Sequence, residues 1–121
     1  MIIAPFRAFQ ALTNDDDIKN CLKHAREHLS DDGIFIVNVF NPNKILDETW
    51  YYPEIVQWEQ HDKVNNRHVV KKHWGDKIDV ANQVIYPNFA YEITYPDGKK
   101  ERIEEKLKLK YYYYEQLRTL I

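Results

Sequence analysis

Glycine is scarce in this sequence: the 121 residues contain only Gly33, Gly75 and Gly98, and each stands alone. A loop that cradles a phosphate or a carboxylate with successive backbone N–H groups needs several glycines close together. These positions cannot supply such a loop, and each glycine is better interpreted as a turn residue. Cysteine is scarcer still, because Cys21 is the only one and an internal disulfide is therefore impossible.

The sequence also lacks an excess of charge of one sign, a long apolar run and a pattern of metal ligands. Its 17 basic and 19 acidic side chains are mixed along the chain, so we expect no nucleic-acid partner. It has no run of about 18 apolar residues, and we expect a cytoplasmic protein with no membrane partner. His24 and His28 lie four residues apart without the other ligands of a zinc motif, and we predict no metal site. No nucleophile has an adjacent base, so no catalytic residue is predicted.

The chain begins with the pattern of a short strand followed by a helix. Residues 2–6 form an apolar run that Pro5 interrupts, because proline cannot donate to a strand ladder. Asn14, preceded by a threonine and followed by three aspartates, has the side chain and the neighbouring charges that stabilise a helix N-terminus. Apolar residues then recur at spacings of three and four as far as Leu29. The pattern predicts a helix with one buried face.

A second strand is predicted directly after this helix. Gly33 is expected to close the helix in the left-handed conformation, and Ile34–Phe40 is nearly continuous apolar sequence typical of a buried strand. Residues 1–42 should therefore form a βαβ unit with parallel strands. One helix can cover only one face of such a unit, which leaves one of two rows without cover. The candidate rows are Ile34, Ile36 and Asn38, or else Phe35, Val37 and Val39.

From residue 50 onward the sequence is rich in β-branched and aromatic residues and predicts an antiparallel sheet. The predicted strands are 55–62, 68–74, 83–95 and 99–112. Asp97-Gly98 is the clearest hairpin turn, and a loop is expected from Gly75 to Asn82. Odd-numbered apolar residues on both arms of the hairpin should pack, while even-numbered charged residues face water. The packing residues on the second arm are Ile103, Leu107, Leu109 and Tyr111.

The predicted fold class is thus a partial α/β fold, one βαβ unit carrying an antiparallel β-sheet insertion. The chain should form a single partial domain. Its parts are the βαβ unit in residues 1–42, the insertion in residues 50–112 and the start of a C-terminal helix in residues 113–121. The helix places Leu117, Leu120 and Ile121 on one face.

The order of these segments is similar to that of a known enzyme family. "IIAPFRAFQAL", an acid-capped helix ending "AREHLSDDG" and "IFIVNVFNP" resemble the fourth strand, the following helix and the fifth strand of class I S-adenosylmethionine-dependent methyltransferases. The antiparallel section and "KLKLKYYYYEQL" resemble the substrate-side insertion and the return to the core found in members that act on small molecules. The resemblance implies a partial Rossmann-like fold and methyl transfer to a small-molecule acceptor. Since the glycine-rich turn and the ribose-binding acid are missing, we expect this chain alone to be inactive and to bind the cofactor weakly or not at all.

The resemblance also implies which residues form the site. Pro5, Phe6 and Arg7, in the loop after the first strand, should contact S-adenosylmethionine. The residues expected to contact the acceptor are Phe9, Asn38, Phe40, Asn41, Tyr111 and Tyr113. Each has a structural alternative: the phenylalanines and tyrosines can be packing residues, Arg7 can be solvated, and Asn41 with the following proline can simply end a strand.

A second function is compatible with the same residues. The chain can be a non-catalytic module, derived from the methyltransferase fold, that pairs through an open sheet edge with another protein or with itself. On either interpretation the uncovered row of the βαβ unit predicts a homodimer.

Overall fold

In a computed structural model, which describes residues 1–121, the chain is a mixed α/β protein with two helices and two sheets. The strands are β1 (Ile2–Ala4), β2 (Phe35–Val37), β3 (Tyr52–Asp62), β4 (Arg67–Asp79), β5 (Val84–Thr94), β6 (Lys100–Lys106) and β7 (Leu109–Lys110). The helices are α1 (Asp15–His28) and α2 (Tyr114–Leu120), with a short 3-10 helix at Ala8–Ala11. Neither α-helix has the length and apolar character that crossing a lipid bilayer requires.

The predicted βαβ unit is present. β1 and β2 pair in parallel, with Ile2 opposite Phe35 and Ala4 opposite Val37. Asn14 caps α1 as expected, because its side-chain oxygen accepts a hydrogen bond of 2.8 Å from the backbone N–H of Asp16. The second strand is shorter than the predicted Ile34–Phe40, since its only partner is the three-residue β1.

The expected role of Gly33 is wrong. Its φ is not in the left-handed region, and α1 ends at His28 with Leu29 already extended. A Cβ added at Gly33 would lie 2.8 Å from Leu29 Cδ2. This glycine therefore permits a close approach of the chain to Leu29 rather than a left-handed turn.

The two faces of the parallel pair differ in cover. One face packs against α1 and α2 around the buried residues Phe9, Ile18 and Tyr112. On the other face Ile3, Ile34 and Ile36 are 53%, 59% and 45% exposed. The candidate row that contains Ile34 and Ile36 is therefore the uncovered one. The shortage of helices predicts one uncovered row, and the structure shows which of the two it is.

Strands β3 to β7 form a five-stranded antiparallel sheet in the order β3-β4-β5-β6, with β7 continuing along the same edge of β5 as β6. The hairpin at Asp97-Gly98 is confirmed, and Gly98 has a φ of 83° that favours glycine. The predicted strand 99–112 is interrupted after Lys106. Pro87 of β5 has no N–H to donate at that point, although its carbonyl accepts a 2.9 Å hydrogen bond from Leu107 N.

The loop expected from Gly75 to Asn82 is wrong, because β4 continues through Gly75 to Asp79. Gly75 lies beneath two aromatic side chains, and a Cβ there would approach Trp50 Cη2 to 2.6 Å. The glycine therefore serves close packing of β3 on β4 instead of a turn.

The division of the hairpin into a packed face and a wet face holds only in part. Ile93, Leu109 and Tyr111 are buried as expected. Ile103 and Leu107, expected to pack, remain exposed, while Ala90 and Asn88 on the opposite face are buried. β6 lies at the sheet edge, where the odd-numbered residues find no covering layer. Ion pairs and aromatic side chains cover the even-numbered face of β5 instead.

The tyrosine run joins the two sheets. Tyr111 packs with Leu46, Ile85 and Leu109 in the core of the antiparallel sheet, whereas Tyr112 packs with Phe9 beside α1. The rings alternate because this segment is extended. Helix α2 follows in the predicted place, with Leu117 and Leu120 against the α1 core. Ile121 is exposed and does not join that face.

Candidate functional site

A cleft of about 680 Å³ lies between the carboxyl ends of β1 and β2 and one face of the antiparallel sheet. This size suits a small molecule. The βαβ unit contributes Phe6, Arg7, Asn38 and Phe40 to its lining. The sheet contributes aromatic, apolar and basic side chains, among them Tyr52, Lys71, His73, Phe89 and Leu107.

The loop after β1 has an unusual backbone. Phe6 and Arg7 have φ values of 50° and 64°, two successive left-handed residues that are not glycine. This conformation is disfavoured for bulky side chains and clusters at binding sites. It also leaves the Phe6 side chain 95% exposed at the cleft. The loop gains no packing at Phe6 that would offset the strain.

Arg7 and Phe40 connect the two strand ends across the cleft. The Arg7 guanidinium carbon lies 5.4 Å from the centre of the Phe40 ring, a cation–π arrangement. Buried Gln10 fixes the backbone of Phe40, because its amide accepts a hydrogen bond from Phe40 N at 2.6 Å and donates to Phe40 O at 3.2 Å. The same amide group donates to Lys110 O at 2.6 Å. Gln10 therefore ties the cleft end of the βαβ unit to the antiparallel sheet.

An aromatic row forms the sheet side of the cleft. The Tyr52 and His73 rings lie 5.4 Å apart, and His73 stacks on Phe89 at 6.4 Å with 24° between the ring planes. Trp50 meets Tyr52 edge-on at 5.5 Å. His73 and Phe89 are direct partners in the β4–β5 register, which fixes their contact. The cleft thus has a wall of flat rings.

Lys71 extends this wall with a positive charge. Its Nζ lies 4.9 Å from the centre of the Phe89 ring and 5.6 Å from that of Tyr91. No carboxylate lies within ion-pair distance of Lys71 or of Arg7, and the cleft lining contains no aspartate or glutamate. Burial raises the pKa of Tyr52, and the nearby Arg7 charge partly opposes that rise. The cleft is aromatic and positively charged.

A β-bulge adjoins the cleft on β3. The register shifts between Val56, opposite Lys72, and Trp58, opposite Lys71, so Gln57 has no partner of its own on β4. Bulges of this kind redirect a side chain. Gln57 lines the cleft and adds an amide to a wall that is otherwise aromatic and basic.

The cleft brings together four of the residues expected from the sequence. Phe6 and Arg7 line it beside Asn38 and Phe40. Pro5 is exposed and begins the turn, with its carbonyl accepting a 2.9 Å hydrogen bond from Ala8 N, but it does not line the cleft. Asn41 is exposed and also lies outside the lining.

The remaining expected residues are packing residues. Phe9 is buried beside α1, and Tyr111 is buried in the core of the antiparallel sheet. Tyr113 packs edge-on against Tyr111, and its hydroxyl accepts a 2.9 Å hydrogen bond from Leu46 N. For these three residues the packing alternative is correct. Tyr112 is buried as well, its hydroxyl has no hydrogen-bond partner, and burial raises its pKa to about 12.

The sheet wall was not foreseen from the sequence. Alternation in "VVKKHW" indicates that Lys71 and His73 share one face of a strand, but it does not indicate what that face meets. No group of three or more histidine, cysteine, aspartate or glutamate side chains is arranged to hold a metal ion. No family model matches the chain, and no curated protein matches it.

Proposed function

We propose that this chain is a segment of a class I S-adenosylmethionine-dependent methyltransferase, with a partial Rossmann-like fold, that acts on a small-molecule acceptor. The observation that carries the proposal is the strained loop at Phe6 and Arg7. It lies at the carboxyl end of a parallel strand, where open α/β sheets bind their ligands. The segment supplies one side of the cofactor crevice and the acceptor wall.

The residues of the strand ends fit one part of the cofactor. The Arg7 guanidinium suits the carboxylate of its methionine moiety, and the rings of Phe6 and Phe40 suit its sulfonium. Asn38, exposed at the same edge, adds an amide. The chain has no glycine-rich turn and no acidic residue in the cleft lining for the ribose. Binding by this chain alone should therefore be weak.

When bound, S-adenosylmethionine supplies an electrophilic methyl group. The chain's contribution is to orient the acceptor between the aromatic wall of His73 and Phe89 and the loop at Phe6. Such positioning accounts for catalysis without an acid or base from this chain.

Titration of the isotopically labelled chain with S-adenosylmethionine, followed by amide NMR, tests the proposal. We expect shifts confined to Phe6, Arg7, Asn38 and Phe40, with a dissociation constant of roughly millimolar order. Arg7→Gln should weaken binding, whereas Lys77→Met, on β4 outside the cleft, should not. Unchanged amide signals at all four positions, at cofactor concentrations well above the millimolar range, would contradict the assignment of these residues to the cofactor crevice.

The exposed isoleucines favour a second candidate function, a self-associating module. Ile3, Ile34 and Ile36 form an apolar row on a two-stranded sheet whose outer edges have no partner. Burying each such side chain contributes roughly 1.5–3 kcal/mol. Two copies packed on this row would bury it in a two-fold dimer.

Light scattering over a concentration series tests this candidate. We expect a dimer that Ile36→Lys converts to a monomer. Ile45→Lys serves as the matched control, because Ile45 lies in a loop outside the row and its side chain is 82% exposed. A wild-type chain that remains monomeric at every concentration would rule out self-association as its function.

A further inference from the structure

We propose that the acceptor held in the cleft is a small aromatic molecule carrying an oxyanion group, a carboxylate or a phosphate. Its anionic group pairs with Lys71, and its ring lies against Phe89 and His73. The inference rests on the proposed function in treating this molecule as the methyl acceptor. The binding of the anion itself depends only on the cleft.

The first argument is the sign of the charge. Most cations of the antiparallel sheet that are not fully exposed are paired with carboxylates, as Lys72 is with Glu92 at 2.8 Å and Arg67 is with Asp62 at 2.8 Å. Lys71, on the same strand and half-buried, has no such partner. With Arg7 it gives the cleft two positive charges and no negative one. A ligand of opposite charge completes this arrangement, and a cationic acceptor would be repelled.

The second argument is the position of the Lys71 ammonium. Its Nζ lies over the faces of Phe89 and Tyr91, which compensate part of the cost of removing the charge from water. Aromatic faces leave the hydrogen-bond donors of an ammonium unsatisfied, and an oxyanion can accept them. The side chain is therefore held in place without an acceptor of its own.

The third argument concerns the body of the ligand. The His73 and Phe89 rings are stacked within 24° of parallel, and Tyr52 continues the row. A flat wall of this kind favours a flat partner, because aromatic rings gain from offset stacking or edge contacts. The cleft volume of about 680 Å³ accommodates a substituted ring beside the loop at Phe6.

Amide NMR titrations with benzoate, phenyl phosphate and benzamide test the proposal. Benzamide has the shape of benzoate without its charge. We expect benzoate or phenyl phosphate to shift the amide signals of Lys71, His73 and Phe89, and benzamide to bind at least about tenfold more weakly, as a lost charge-assisted hydrogen bond implies. The tighter of the two anions identifies the oxyanion. Added sodium chloride should weaken the binding of both benzoate and phenyl phosphate, because salt screens the charge of Lys71.

Lys71→Met should reduce the affinity for the anion about tenfold, since it removes the charge and keeps the length of the side chain. Lys77→Met is the matched control, because Lys77 also lies over a tyrosine ring, that of Tyr86 at 4.6 Å, but outside the cleft. Equal affinities for benzoate and benzamide, or an unchanged benzoate affinity in Lys71→Met, would overturn the proposal.

The two proposals fail separately. Cofactor shifts at Phe6 and Asn38 without any anion binding at Lys71 would overturn the acceptor class and leave the methyltransferase segment standing. Anion binding at Lys71 without cofactor shifts would support the anion site and contradict its use in methyl transfer.

Discussion

Lys71 and Lys72 are neighbours on β4, and their side chains point to opposite faces of the antiparallel sheet. Lys72 forms ion pairs with Glu54 at 3.3 Å and with Glu92 at 2.8 Å. Lys71 has no carboxylate partner and lies over aromatic rings in the cleft. The same residue type therefore serves the fold on one face and remains available to a ligand on the other.

The face that carries Lys72 is a closed charge network. Arg102 pairs with Glu54 and Glu92, both at 2.6 Å, and stacks over Trp74. The hydrogen bond from Arg102, and then the one from Lys72, lowers the pKa of Glu54 below its ordinary value. Networks of this kind contribute more than isolated surface pairs. On the cleft face, by contrast, the charges are unmatched and the apolar residues are partly exposed. The comparison teaches that charges without a partner, more than residue type, distinguish the face that carries the candidate site.

The largest effect should come from the core beneath the cleft. Leu109→Ala removes a side chain that is 9% exposed and packed with Leu46, Ile85 and Tyr111, and should destabilise the protein by about 2–5 kcal/mol. Leu107→Ala, at a cleft position that is 38% exposed, should cost about 1 kcal/mol or less. Urea unfolding of both variants makes the comparison. Equal losses would show that the cleft face is packed like a core.

Arg102→Met should have the next largest effect. It leaves Glu54 and Glu92 facing each other with only Lys72 between them, and should destabilise the protein by up to about 1 kcal/mol. Arg118→Met is the matched control, because Arg118 is exposed in α2 and forms only a loose pair of 3.9 Å with Glu115. If thermal unfolding shows the same midpoint for the two variants, the network contributes nothing to stability.

A smaller effect is expected from pH. The hydrogen bond from Lys72, and then the one from Arg102, lowers the pKa of Glu92 below its ordinary value of 4.5. Because folding favours the ionised form, this contribution to stability is present above pH 4.5 and is lost as the pH falls through the lower folded-state pKa. Between pH 5 and pH 3 the unfolding free energy of Glu92→Gln should fall less steeply than that of wild type. An identical pH profile in the variant would remove Glu92 from the network.

Local signals in the sequence predicted much of the fold. The Asn14 cap, the turn at Asp97-Gly98 and the presence of one uncovered row each depend on neighbouring residues or on a count of layers. Which of the two candidate rows is uncovered was not predicted. The role of Gly75 could not be predicted in this way, because it depends on an aromatic ring of another strand that packs against the glycine. Contacts between distant segments are invisible to local patterns.

The same limit applies to the candidate site. The loop residues Phe6 and Arg7 follow a strand end, which the sequence indicates, but the sheet wall at Lys71 and His73 depends on the register of three strands and on the bulge at Gln57. Gln10 was likewise missed, because its three hydrogen bonds run to the backbone of residues far along the chain. A buried glutamine in an apolar segment is the one signal that could have drawn attention to it.

The different roles of Lys71 and Lys72 are most directly tested by measuring the benzoate affinity and the unfolding free energy of both methionine variants. Lys71→Met should weaken benzoate binding about tenfold while its unfolding free energy stays within about 0.5 kcal/mol of wild type. Lys72→Met should lower the urea concentration at the midpoint of unfolding and, where folded, bind benzoate as wild type does. A Lys71 variant that loses stability but not affinity, or a Lys72 variant that loses affinity but not stability, would contradict the assignment of the two faces.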